Sequence, residues 1–113
     1  TWRVFEMNVI EKNEGTKIPY SVRTTKITFD DDLTINLSKR EQDWAVHIDV
    51  CFDEDKELVI GTAAGRAYVA EIDIPEREYK QIGETEEGPQ YEPVPLNMSK
   101  VTLSLWAIGD DVE

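Results

Sequence analysis

His47, Asp49 and Cys51 are the residues whose types and spacing could do chemistry in this chain. They alternate with apolar residues, so a strand would place all three side chains on one face. A histidine and a carboxylate two residues apart on a strand could share a metal ion, or act as a base and its orienting group. Zinc needs three or four protein ligands, so these residues alone do not complete a site.

The segment 44–74 must position these residues, and it is predicted to form three consecutive antiparallel strands. An acidic turn around Asp55 follows the first strand. A three-residue loop, 63–65, follows the second strand and places Gly65 where a positive φ is needed. The prediction is therefore a meander in which each strand pairs with the next along the chain.

Register decides which side chains share a face of this meander. One apolar face persists only if the loop around Asp55 contains three or five residues, which pairs residue 58 with 52 and residue 60 with 50. The predicted core face consists of alternate residues of the three strands: Val46, Ile48, Val50, Phe52, Leu58, Ile60, Tyr68, Ala70, Ile72 and Ile74.

The opposite face is predicted to surround His47, Asp49 and Cys51 with small residues instead of further ligands. Such a face would be covered by a second sheet, by the end of a barrel or by another subunit. We therefore interpret His47 as a half-exposed strand residue and Cys51 as a small buried hydrophobe. The neighbours predicted for this face are Val59, Gly61, Ala63, Ala67 and Val69.

Asp53, Glu57 and Glu71 form the outermost predicted row and are the candidate metal ligands. Like charges facing each other across a sheet repel, so this row should bind a cation or spread into water. The spacing around Asp53 resembles a calcium loop, but Leu58 stands where that loop needs glycine. A solvated acidic turn is the preferred interpretation.

Motifs for catalysis or cofactor binding are missing from the sequence. No glycine-rich loop precedes a helix, and no spacing of Ser, His and carboxylate residues indicates a nucleophile. We therefore predict a protein that is not an enzyme and needs no cofactor.

Charge is the strongest compositional signal, with 24 acidic and 12 basic residues and a net charge of −12. This balance disfavours binding to nucleic acid or to anionic membranes. Residues 1–29 carry five basic and three acidic groups, or +2, whereas the remainder carries seven basic and 21 acidic groups, or −14. The asymmetry either favours head-to-tail association of copies or serves solubility alone.

The 113 residues are predicted to form a single domain, 1–113. A single cysteine excludes an internal disulfide, and no apolar run is long enough for a membrane helix. We expect a soluble cytoplasmic protein.

The other segments favour an all-β fold. A bend near Thr24 should divide the β-prone segment 17–29, and the strand 101–108 should pair with a strand over 2–10. Residues 75–82 suit a helix of one or two turns, and 83–95 an exposed mobile loop. We predict an antiparallel sandwich or small barrel of six to eight strands, with at most one or two short helices. A curved sheet with one covering helix is the alternative.

Three functions are compatible with these features. The first is a non-enzymatic structural or protein-interaction domain that self-associates as a homo-oligomer or binds another protein. The second is an acidic decoy that binds a nucleic-acid-binding partner through a carboxylate-rich surface. The third is a small-ligand or carbohydrate-binding module that uses exposed tryptophan. The candidate partner-binding residues are Glu84, Glu86, Glu87, Tyr91 and Glu92.

Overall fold

The computed structural model describes residues 7–109, and these form an all-β fold with two single 3₁₀ turns, Leu37–Lys39 and Met98–Lys100. The predicted fold class is confirmed, although the strands are shorter and more numerous than predicted. They are β1 (Asn8–Glu11), β2 (Tyr20–Arg23), β3 (Lys26–Phe29), β4 (Leu33–Asn36), β5 (Val46–Phe52), β6 (Leu58–Ile60), β7 (Ala67–Ile74), β8 (Tyr79–Thr85), β9 (Gly88–Pro93) and β10 (Thr102–Leu105).

The largest sheet has five strands in the order β1-β10-β7-β5-β6. Its first and last strands in sequence pair, as predicted, but β1 runs parallel to β10, with Val9 opposite Leu103. The prediction of a wholly antiparallel fold is therefore wrong at this pair. Most of the chain separates the two strands, so no hairpin imposes an antiparallel direction on them.

The predicted meander is half right. Strands β5 and β6 pair in the predicted register, with Val50 opposite Ile60 and Phe52 opposite Leu58. However, β7 pairs with β5 and not with β6, so β5 is an inner strand and β6 lies at the edge.

The predicted hairpin loop 63–65 therefore belongs to a connection that crosses from β6, on one side of β5, to β7 on the other side. Gly61, and not Gly65, has the positive φ, at 94°. Gly65 is needed for a different reason, because a Cβ at this position would lie 2.8 Å from the Cβ and 2.9 Å from the Sγ of Cys51. The backbone passes directly over the thiol, and only glycine leaves room for it.

A register shift between β5 and β7 changes the end of the predicted core face. Val50 lies opposite Ala70 but Cys51 lies opposite Tyr68, which leaves Val69 as the extra residue of a bulge. Tyr68 is exposed as a result, and so is Ile60 on the edge strand. The eight other residues of the predicted core face are buried or pack against the core.

A second sheet has the order β2-β3-β4. Thr24, with a φ of 53°, lies in the tight turn between β2 and β3, so the predicted bend is a full chain reversal. Asp30 and Asp31 both have positive φ in the turn before β4, as expected for an acidic turn.

The two sheets share one hydrophobic core and therefore pack face to face. The three-stranded sheet contributes Ile27, Phe29 and Ile35, and the five-stranded sheet contributes Ile72 and Leu103, all at most 2% exposed. The second sheet thus covers the apolar face of β5 and β7, not the face that carries His47. Among residues 7–109, no helix is long and apolar enough to span a membrane.

Strands β8 and β9 form a separate two-stranded hairpin, which we call the arm (residues 79–93). It replaces the predicted helix at 75–82 and the predicted loop at 83–95, although the exposure predicted for the loop is correct. The longest dimension of the molecule is 63 Å and its radius of gyration is 17.0 Å, against about 13 Å for a compact domain of this length. The molecule is therefore elongated.

Candidate functional site

Two features outside the core could carry function, and the first is a cluster of polar side chains on the face of β5 and β7 opposite the core. His47 lies opposite Asp73, and Asp49 lies opposite Glu71. Alternation within each strand and pairing between the strands thus place an imidazole and three carboxylates side by side. We call these four residues the His47 cluster.

The imidazole of His47 has carboxylates at both nitrogens. Its Nδ1 lies 2.7 Å from Asp73 Oδ1, while its Nε2 lies 2.8 Å from Asp49 Oδ1 and 3.4 Å from Glu71 Oε1. A neutral imidazole carries one N–H and could satisfy only one of these sides. The hydrogen bond to Asp73 raises the pKa of His47 above 6.5, and Asp49 reinforces this shift against the opposing effect of burial.

Trp106, which follows β10, supports the cluster from one side. Its Nε1 donates a hydrogen bond of 2.6 Å to Glu71 Oε2, which leaves Oε1 directed toward His47. The indole ring stacks on Tyr68, and Lys12 Nζ lies 5.7 Å from the ring centroid. The Glu71 carboxylate is therefore oriented by a side chain that is itself packed.

Cys51 does not join the cluster, although it was expected on the same face. Cys51 is 2% exposed and lies beneath Gly65. Burial raises its pKa, and the charges of Asp49 and Glu71 add to the shift. A buried, protonated thiol is a poor metal ligand, which agrees with the interpretation of Cys51 as a small hydrophobe.

The predicted row of Asp53, Glu57 and Glu71 is wrong, because β7 pairs with β5 and not with β6. Asp53 and Glu57 stay together in their turn, where Asp53 Oδ1 accepts hydrogen bonds from the backbone N–H of Glu57 and of Asp55. Glu71 lies instead beside Asp49. Asp73 is not among the residues predicted for the site, because only a direct pairing of β5 with β7 places it opposite His47.

The second feature is the arm, whose base is clamped to the body. The Arg77 guanidinium donates to Asp43 Oδ1 at 3.0 Å and to the Glu41 carbonyl at 2.8 Å. The Tyr79 hydroxyl donates to Asp43 at 2.7 Å, and Lys100 lies 2.6 Å from Glu78. These contacts fix the direction in which the arm leaves the body.

Beyond its base the arm has little cover from the body. Every residue of β8 is exposed, and so is every residue of β9 except the half-buried Gly88. Ile82 and Tyr91 are each 57% exposed. All five predicted partner-binding residues lie on the arm: Glu84, Glu86, Glu87, Tyr91 and Glu92.

Charge is distributed unevenly along the arm. Glu92 pairs with Lys80 near the base at 3.6 Å. Glu84, Glu86 and Glu87, which we call the tip carboxylates, form no ion pair with any residue in the described range 7–109. The end of the arm therefore presents uncompensated negative charge to solvent.

Positive charge collects at one end of the three-stranded sheet. Arg23 and Lys26 are paired across the β2–β3 turn, and the Leu37 N–H donates to the Thr25 carbonyl, which holds the following 3₁₀ turn against this end. Within residues 7–109, none of the four exposed cations gathered here has an acidic partner. They are Arg23, Lys26, Lys39 and Arg40, which we call the basic end.

The tryptophans do not form a common platform in the described part of the chain. The Trp106 ring is occupied by its contacts with Tyr68 and Glu71, whereas Trp44 is 63% exposed on its own segment. Trp2 lies outside the described residues.

Searches against protein-family models, curated proteins and solved structures found no match to this chain. Its function must therefore be inferred from its own residues.

Proposed function

We propose that this protein is a structural or interaction domain that self-associates, with the arm as its principal contact surface. The observation that carries the proposal is the exposure of the arm along its whole length. An isolated two-stranded hairpin is at best marginally stable in water, so a partner that covers the arm would stabilise it. Exposed Ile82 and Tyr91 offer apolar contact area for such a partner.

The partner that best complements the arm is a second copy of the chain. The tip carboxylates and the basic end carry opposite charges, and neither group forms an ion pair within residues 7–109 of its own copy. Strand β2 lies beside the basic end at the edge of its sheet, with Tyr20 and Val22 exposed. The arm of one copy would lie along β2 of the next, adding apolar contacts and strand pairing to the charge complementarity.

Sedimentation velocity or light scattering across a range of protein and salt concentrations tests this proposal. We expect concentration-dependent dimers or longer assemblies that weaken with salt, because the matching charges are exposed. Neutralising the tip carboxylates should weaken association roughly threefold to hundredfold, since three exposed ion pairs contribute about 0.2–1 kcal/mol each. The matched control has the same charge change away from the arm. The two triple variants are E84Q/E86Q/E87Q and the control E14Q/E57Q/E76Q.

Charge reversal provides the sharper test. Variants E84K/E86K/E87K and R23E/K26E/K39E should each fail to self-associate, and a mixture of the two should form complexes. A wild-type protein that stays monomeric at high concentration, or reversed variants that associate normally alone, would contradict the proposal.

An acidic decoy is the second candidate, because the tip carboxylates also resemble a short row of phosphates. That function predicts capture of a basic DNA- or RNA-handling protein in a salt-sensitive way, and competition by nucleic acid. Pull-downs with wild type and with E84Q/E86Q/E87Q distinguish it from self-association. Recovery of this chain alone argues against the decoy.

A further inference from the structure

We propose that His47, Asp49 and Glu71 bind one divalent transition-metal ion, with Zn²⁺ as the reference ion. Their ligand atoms, His47 Nε2 and one oxygen from each carboxylate, all lie within 4.8 Å of one another. Adjacent ligands of a tetrahedral zinc ion lie ~3.3 Å apart when each is about 2.0 Å from the metal. The 3.4 Å between Nε2 and Glu71 Oε1 already matches this separation, and the 2.8 Å to Asp49 needs only a small side-chain movement.

The backbone presets this arrangement. His47 and Asp49 are two residues apart on β5, and Glu71 lies directly opposite Asp49 on β7. Two ligands from one strand and a third from its neighbour form one side of a tetrahedron and leave the solvent side open. Glu71 is paired on both sides, with Asp49 of β5 and Ser104 of β10, and His47 and Asp49 are held by the pairing of β5 with β7.

Residues around the three ligands orient them as a metal site requires. Asp73 Oδ1 lies 2.7 Å from His47 Nδ1, so with a metal ion on Nε2 the ring proton stays on Nδ1 and is donated to Asp73, which orients the ring. Trp106 holds the second oxygen of Glu71. A metal ion at this position would replace the proton that Nε2 needs in order to donate to Asp49, and its charge would balance the two carboxylates.

The type of ion follows from the donor atoms. An imidazole nitrogen with two carboxylates suits Zn²⁺, Mn²⁺ or Fe²⁺, whereas Mg²⁺ and Ca²⁺ prefer oxygen ligands alone. The three ligands carry two negative charges when His47 is neutral, so a divalent ion balances them. Since the site is half-exposed, a water or a group from another molecule would complete the coordination.

Calorimetric titration of untagged, chelator-treated protein with ZnCl₂ tests the proposal. We expect saturable binding of one ion per chain that excess Mg²⁺ does not displace. In parallel, a long-range ¹H–¹⁵N spectrum of His47, the single histidine of the chain, should show the Nε2 resonance shift on addition of Zn²⁺. Circular dichroism confirms that each variant is folded.

Five variants decide which residues bind. H47Q, D49N and E71Q should each weaken Zn²⁺ binding at least tenfold, and D73N should weaken it about tenfold to a hundredfold as an orienting residue. The matched control E57Q, in the acidic turn at the far end of β5, should bind as wild type does. The proposal is overturned if wild type shows no saturable binding up to millimolar Zn²⁺, if H47Q binds as tightly as wild type, or if E57Q weakens binding equally.

Discussion

His47 and Asp73 face each other across β5 and β7, with 2.7 Å between the imidazole Nδ1 and the carboxylate Oδ1. This contact joins residues 26 positions apart in the chain. It also directs Nε2 of the ring toward Asp49 and Glu71, so one strand pairing determines the geometry of the whole His47 cluster.

In the metal-free protein, the pKa of His47 should be above 6.5 in an NMR titration. The hydrogen bond to Asp73 is the main cause of the increase, and Asp49 adds to it. The D73N variant should bring the pKa down, whereas the control variant D55N should leave it unchanged. A wild-type value at or below 6.5 would contradict the geometry described for the cluster.

The same shift gives stability a pH dependence of known sign. A pKa raised in the folded state stabilises it fully below pH ~6.5, and this stabilisation is lost as the pH rises through the folded-state value. The difference in urea midpoint between wild type and D73N should therefore be larger at pH 5.5 than at pH 9. An equal difference at both values would show that His47 protonation does not contribute.

Replacing Gly65 by alanine should destabilise the protein by about 1–3 kcal/mol, as expected for overpacking at a close contact. The added methyl would lie 2.8 Å from the Cys51 Cβ, and the Gly65 backbone belongs to the connection that reaches β7. G83A is the control, because a Cβ at Gly83 meets nothing within 4 Å. Chemical denaturation of both variants measures the difference, and equal stabilities would contradict the close approach.

Substitutions of Phe29 and Val22, which belong to the same hairpin, test which of its side chains lie in the core. Phe29 is fully buried between the two sheets, so F29A should cost about 3–5 kcal/mol. Val22 is 43% exposed on the edge strand, and V22A should change stability by less than ~0.5 kcal/mol. A small effect of F29A in thermal or urea unfolding would show that the sheets do not pack as described.

Removing the arm should abolish self-association without lowering the stability of the protein. None of the residues of the hydrophobic core lies within 79–93. Replacing residues 82–90 by an Asn-Gly turn should therefore leave the unfolding temperature within a few degrees of wild type. The shortened protein should no longer self-associate in sedimentation experiments, and an unfolded product would mean that the arm belongs to the folding unit.

Local sequence patterns determined the strand character of this protein, most of its core face and the register of β5 with β6. They did so because alternation of apolar side chains encodes which face of a strand is buried and constrains the length of a tight loop. They also predicted that the tip carboxylates lie in an exposed segment, because charged residues, glycine and proline are concentrated there.

Only the tertiary structure decided which strands are neighbours. Alternation specifies a face but not a partner, so the sequence allowed β7 to pair with β6, whereas packing inserts β5 between them. Because β7 pairs with β5, Glu71 lies beside Asp49 and not beside the acidic turn, and Asp73 lies opposite His47. The spacing of His47 and Asp49 supplies only two members of the His47 cluster. The long-range pairing of β5 with β7 supplies the other two, Glu71 and Asp73.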